Sequence, residues 1–161
     1  EIKRTEIKRT EIKRTVIFPV PPDTPSFNCV HFQFGQPSRI WEYRDRSNLL
    51  NGYVARYDIE DGKKQIIPWT WTGKKWSAGQ WPAPRPMYGL QYLLDNPDKP
   101  IVIVEGEKSA DAAREFLGKV YIVMSWSGGG KAYDKTDFNP IYGRKVLLWP
   151  DADSPGISTM R

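Results

Sequence analysis

One cysteine and one histidine, Cys29 and His31, are all that the 161 residues contain of either type. An intramolecular disulfide is thereby excluded, as is a zinc site built from four Cys and His ligands. Long apolar runs are missing as well. The longest purely aliphatic stretch is Ile101–Val104, whereas a membrane-spanning helix needs roughly 20 apolar residues. No apolar segment with a small-residue cleavage site opens the chain, so neither membrane insertion nor secretion is expected. Charge of one sign is scarcer than the net +5 suggests. Residues 1–15 read EIKRT three times and supply +3 of it, leaving +2 over the other 146 residues. Net charge alone is therefore weak evidence for a nucleic-acid partner.

What the chain does have is 39% apolar and 13% aromatic residues, too much of both for a disordered polymer. The pentad repeat matches neither the helical period nor the strand period. It reads as a tail, residues 1–15, outside the fold, the functional alternative being a basic arm that touches phosphate. Residues 16–25, VIFPVPPDTP, hold four prolines and should run extended across a surface. Ile40–Tyr43 and Tyr53–Tyr57 alternate with period two. Glu60–Lys63 is a turn centred on Asp-Gly, Gln65–Trp71 resumes as a strand, and Thr72–Lys75 turns again. Residues 38–78 thus read as an antiparallel meander of three or four strands. Trp81–Met87 is proline-rich and leads into a short helix around Gly89–Leu94.

After Asp95–Pro100 the pattern changes. Ile101–Val104 has the continuous apolar character of a strand buried in a parallel sheet. Lys108–Leu117 reads as a helix packing through Ala110, Ala112, Ala113, Phe116 and Leu117. Val120–Met124 and Val146–Trp149 are further apolar strands. This is βαβ grammar. The expected class is α+β: a β-rich antiparallel N-terminal part, residues 16–97, then a Rossmann-like α/β domain, residues 98–161.

The residues that carry chemistry stand at the carboxyl ends of apolar strands. Glu105 ends the first, and Gly106 permits a tight turn into the helix. Asp151 and Asp153, spaced i, i+2, end the last. Ligands of open α/β sheets bind outside the carboxyl ends of the strands. Three carboxylates gathered there repel one another unless a cation lies between them, and hard oxygen ligands select Mg²⁺ or Mn²⁺. The plainer alternative is that the aspartates cap a following helix and Glu105 is a solvated strand end. A second feature is Ser127–Lys131, a loop with glycine at 128, 129 and 130. Successive glycines expose backbone N–H groups to an anion, and Lys131 adds a charge. The loop is not a nucleotide-hydrolysing P-loop, since Ser125 and Ala132 occupy positions where that motif needs Gly and Ser or Thr. Trp69, Trp71, Trp76 and Trp81 alternate with Lys74, Lys75 and Arg85, which suits a single-strand groove or ordinary packing of sheet aromatics. Packing is favoured for two of these tryptophans, and for Cys29 and His31.

IVIVEGEKSADAA followed by VLLWPDADSPG resembles the TOPRIM domain of bacterial primases, type IA and type II topoisomerases and OLD-family nucleases. The upstream segments Trp41-Glu42-Tyr43, Gly52–Asp58, Asp61–Lys64, Pro68-Trp69, Trp76 and Met87–Leu90 are similar to those of primases and primase–helicases of phages and mobile elements. The resemblance spans roughly residues 38–156. It implies a nucleotidyltransferase that makes primers on a single-stranded DNA template from nucleotides. A replicative helicase would be its partner, and its setting the cytoplasm of a bacterial or phage-infected cell. It further implies Glu105 as metal ligand or general acid/base, Asp151 and Asp153 as metal ligands for Mg²⁺ or Mn²⁺, and Arg56, Lys108, Gly128, Gly129, Gly130 and Lys131 as contacts to phosphate or nucleic acid. For Arg56 a surface ion pair is an equal alternative. Two further readings are a non-catalytic module that holds single-stranded nucleic acid or a helicase, and a metal-dependent nuclease. The sequence departs from the primase pattern in three ways. Ser109 stands where a second acid is usual, with Asp111 or Glu107 as substitutes. No zinc ribbon can form. The domain is expected to be truncated, without the helix and last strand that normally follow the Asp-x-Asp.

Overall fold

The structure is a computed structural model that describes residues 14–160; most of the EIKRT repeat, and with it the expectation of a tail over residues 1–15, lies outside the described residues. Four antiparallel strands come first: β1 (Arg39–Arg44), β2 (Leu50–Asp58), β3 (Lys64–Trp71) and β4 (Trp76–Ala78), paired in chain order. This is the expected meander, with its turns at the two Gly-containing segments. The register pairs Trp41 with Val54, Arg39 with Arg56, Val54 with Pro68 and Arg56 with Ile66. Alternation then places Trp41, Tyr43, Val54, Arg56, Lys64, Ile66 and Pro68 on one face. Phe27, His31 and Phe34 of the segment preceding β1 lie across the other face. Phe27 stacks on Tyr53 with centroids 4.4 Å apart, and the His31 ring stacks on Phe34 at 4.6 Å. His31 is thus a packing residue, as expected.

The second sheet is parallel: β5 (Ile101–Val104), β6 (Ile122–Ser125) and β7 (Val146–Leu148), in the order β6-β5-β7. Helix α1 (Glu107–Leu117) connects β5 to β6, and α2 (Ser154–Thr159) follows β7. β5 is central and buried along its whole length. Ile101 and Ile103 meet Met87, Leu90, Leu93 and Met124, while Val102 and Val104 join Trp41, Val54, Trp81 and Ala110. Two-sided burial is why this strand reads as an unbroken apolar run. Trp41, Tyr43 and Val54 of the antiparallel sheet belong to the same core as Val102 and Val123 of the parallel one, so the inner face of the first sheet is pressed against the second.

Two expectations are corrected. The helix placed at Gly89–Leu94 is a single 3-10 turn, Leu90–Tyr92, entered from Gly89 at φ 96°. A helix does follow the Asp-x-Asp: α2 begins at Ser154 and its N-cap is Asp153, whose carboxylate accepts the Gly156 N–H at 2.7 Å.

Candidate functional site

The strand order reverses around β5, because the chain crosses to β6 on one side and later to β7 on the other. A crevice opens at the carboxyl end of such a strand, and Glu105 stands there. The crevice is closed on its far side by the antiparallel sheet, giving a cleft of about 490 Å³. Trp41, Arg56, Lys64, Ile66 and Pro68 form one wall. The opposite wall is Glu105 with the first turn of α1 and Asp151, and Gln80 with Ser127–Gly130 forms the floor.

Of the residues singled out from sequence, Arg56, Glu105, Lys108, Gly128, Gly129, Gly130 and Asp151 all line this one cleft. Asp153 does not line it, being held as the α2 cap. The backbone of Lys131 lies in the 3-10 turn Gly130–Lys135; its side chain lies outside what the structure describes. Arg56 lines the cleft, and its Nε donates to Asp58 at 2.7 Å, the ion pair of its alternative reading. The Ser38 hydroxyl, then Arg56, hold the exposed Asp58 carboxyl below its usual range, and the Lys108 charge contributes. Lys64 is a cleft residue the sequence reading left out. Counting back in twos from the inward-facing Pro68 would have found it.

Glu105 sits in a tight frame. One of its oxygens, Oε1, is buried without a hydrogen-bond partner. A Cβ on Gly156 would fall 2.6 Å from that oxygen and 2.7 Å from the Asp151 carbonyl, so only glycine fits where α2 passes. Burial first, then the negative charges of Asp151 and Asp153, push the Glu105 carboxyl above its ordinary value. The Asp151 N–H is near enough to offset part of that rise without closing a hydrogen bond. α1 begins at the same place, and no side chain caps its first turn, leaving N–H groups and the positive end of the helix dipole directed at the cleft.

The two substitutes considered for the second acid are both engaged elsewhere. Asp111 accepts from Arg39 (2.8 Å), Trp41 (2.9 Å), Tyr88 (2.7 Å) and Arg114 (2.9 Å). Glu107 is buried and accepts from the Tyr43 hydroxyl at 2.6 Å. Burial raises its carboxyl, and the Tyr43 hydrogen bond works against that rise. The four tryptophans are not an open stacking surface. Trp71 and Trp81 are buried, and Phe27 packs on Trp69 and Trp76.

Among the described residues no three His, Cys, Asp or Glu side chains converge closely enough to hold a metal ion by themselves. Mg²⁺, however, is commonly held by one or two carboxylates, with substrate phosphates and water completing the shell. Glu105 and Asp151 share the cleft, one Glu105 oxygen is unpartnered, and the two charges repel. That donor set fits a hard divalent cation arriving with phosphate.

Residues 32–152 match a domain of unknown function, DUF6371. No curated protein matches the chain in sequence. Two solved structures resemble it in fold. One is a chain in the structure of bacteriophage T7 lagging-strand DNA polymerase interacting with primase domains of two gp4 subunits bound to an RNA/DNA hybrid and dTTP, with a TM-score of 0.54, 22% identity, and 74% of this chain covered against 55% of that one. The other is the primase fragment of the bacteriophage T7 primase-helicase protein, with a TM-score of 0.52, 21% identity, and coverage of 74% and 45%. This chain spans about half the length of the solved chains it matches. At such identity the likeness is one of fold: a primase-like arrangement of an antiparallel and a parallel sheet.

Proposed function

The chain belongs to the DUF6371 family, and we propose that it is the nucleotidyl-transfer core of a primase-like protein, its α/β half a TOPRIM domain. The observation that carries this reading is the cleft itself. Cations on the antiparallel sheet, Arg56 and Lys64, face the carboxylates Glu105 and Asp151 across about 490 Å³, with a glycine loop as floor. Polyphosphate is the ligand that such a pair of walls suits. Guanidinium and ammonium groups bind its oxygens from one side, and the loop N–H groups and the α1 N-terminus from below. Glu105 and Asp151 would hold Mg²⁺ or Mn²⁺ on the other side. When bound, such a cation neutralises charge on the transferring phosphoryl group and lowers the pKa of an attacking hydroxyl. The chain's own contribution is to orient the phosphates in line and to exclude water with Trp41, Ile66 and Pro68. A single-stranded DNA template, nucleotides and a helicase are the partners that follow from this reading.

The test is primer synthesis on a mixed-sequence single-stranded template with labelled nucleotides and Mn²⁺. Labelled product that disappears in Glu105→Gln and falls at least ten-fold in Lys64→Ala is the expected result. Salt-sensitive template binding without product would favour the second reading, a non-catalytic nucleic-acid module. That reading draws on the observation that Asp153 is engaged as a helix cap and no carboxylate trio closes among the described residues.

A further inference from the structure

A polar contact crosses the floor of the cleft between two segments far apart in sequence. Gln80 Nε2 donates to Ser127 Oγ at 2.8 Å, and the same hydroxyl reaches Gln80 Oε1 at 3.2 Å. Ser127 is 1% exposed, so no water competes for it. The Gln80 backbone is held in turn, since its main-chain carbonyl accepts from the Arg14 guanidinium at 3.0 Å. Nearby, the buried Tyr43 phenol donates to Glu107 at 2.6 Å. The Gln80–Ser127 pair ties the linker after β4 to the loop after β6, and the Tyr43–Glu107 pair ties β1 to the start of α1.

The loop that follows Ser127 has little else to hold it. Gly128 and Gly129 have φ of 105° and 75° and carry no side chains to anchor. Trp126 Nε1 fixes the Gly129 carbonyl at 2.9 Å. A Cβ on Gly128 would fall 3.2 Å from Gln80 Nε2 and 3.1 Å from Arg85, so the loop runs directly over Gln80. The orientation of its N–H groups, the part that an anion would meet, thus depends on where Gln80 holds Ser127.

We propose that Gln80 and Ser127 form a latch that positions the Gly128–Gly130 loop against the two walls of the cleft and so sets how tightly the loop holds a substrate's phosphates; this rests on the reading of the cleft as a nucleotide site. Gln80 is a positioning residue here, with no contact of its own to the reacting atoms. A neutral buried hydrogen bond corresponds to about a five-fold change in an equilibrium.

The experiment uses the full chain with Gln80→Met, which keeps length and removes both polar groups, Ser127→Ala, and the double variant. The probe is a non-hydrolysable nucleoside triphosphate, with melting temperature and the amide resonances of Gly128–Gly130 measured alongside. Each single variant should weaken binding about five-fold, raise the nucleotide KM with little change in kcat, and shift the glycine resonances. The double variant should equal the singles, because both changes remove one contact. Unchanged affinity, unshifted glycines or additive losses would overturn the latch. A wild-type chain that binds no triphosphate would remove the functional reading instead. The glycine resonances then decide alone: shifts in both singles and no further shift in the double support the latch, and unmoved resonances overturn it.

Discussion

Two carboxylates on neighbouring turns of the chain, Asp111 and Glu105, have opposite surroundings. Asp111 lies at the joint between the sheets and is fully served. Arg39 and Trp41 reach it from β1, Tyr88 from the linker and Arg114 from α1. Glu105 lies at the mouth of the cleft with a buried oxygen unserved and two further negative charges nearby. A carboxylate surrounded by donors stabilises the fold; a carboxylate left short of them in a cleft is a candidate for chemistry. The contrast also separates two parts of the molecule. The joint is aromatic and closed by charge-assisted hydrogen bonds, whereas the mouth is glycine-framed and electrostatically unsettled.

The sharpest way to break this comparison is at the joint. Asp111→Ala leaves donors on three elements without an acceptor and should cost about 2–4 kcal/mol, with Asp111→Asn costing roughly half as much. Urea denaturation followed by tryptophan fluorescence measures it, since Trp41 is among the released donors. A loss below about 1 kcal/mol would mean that the sheets are held by their shared apolar core alone.

What was readable in advance follows the same division. Period-two alternation marked the meander, because each of those strands buries one face. The continuous run Ile101–Val104 marked β5, because it is buried on both. Glu105 and Asp151 were legible as residues that follow apolar strands, a local feature; Gly106, expected to permit a tight turn, is instead extended at φ −152°. The role of Asp111 was not legible, since three of its four partners lie at positions 39, 41 and 88, and only Arg114 falls in a window around α1. For Asp153 the sequence favoured a ligand over a cap, and the cap became visible only with the path of the chain after Pro155. The Gln80–Ser127 contact joins residues 47 positions apart, beyond the reach of any spacing rule.

Asp153 provides the intermediate test. As an N-cap, its replacement by Ala should cost about 1 kcal/mol locally, while Asn, which keeps the accepting oxygen, should cost almost nothing. Amide hydrogen exchange at Gly156 and Ile157 should quicken several-fold in Asp153→Ala and stay near the wild-type rate in Asp153→Asn. Equal acceleration in both would show that the negative charge, not the acceptor, holds the turn.

The smallest effect expected has the opposite sign. Glu105 titrates above its ordinary value in the folded protein, through burial and then the Asp151 and Asp153 charges. The folded state therefore holds that proton at a pH where the unfolded chain has lost it. Stability tied to this group is fully present below the unfolded value and declines as pH rises through the raised folded one. Gln cannot titrate and carries no charge against Asp151. In a chelating buffer, wild type and Glu105→Gln should melt close together near pH 4, and the variant should gain a small advantage, about 1–3 °C, as pH rises to 7. Adding Mn²⁺ at pH 7 should reverse the order by stabilising the wild type alone. A variant less stable than wild type across the whole range, with no response to Mn²⁺ in either protein, would place Glu105 beside Asp111 as a structural carboxylate.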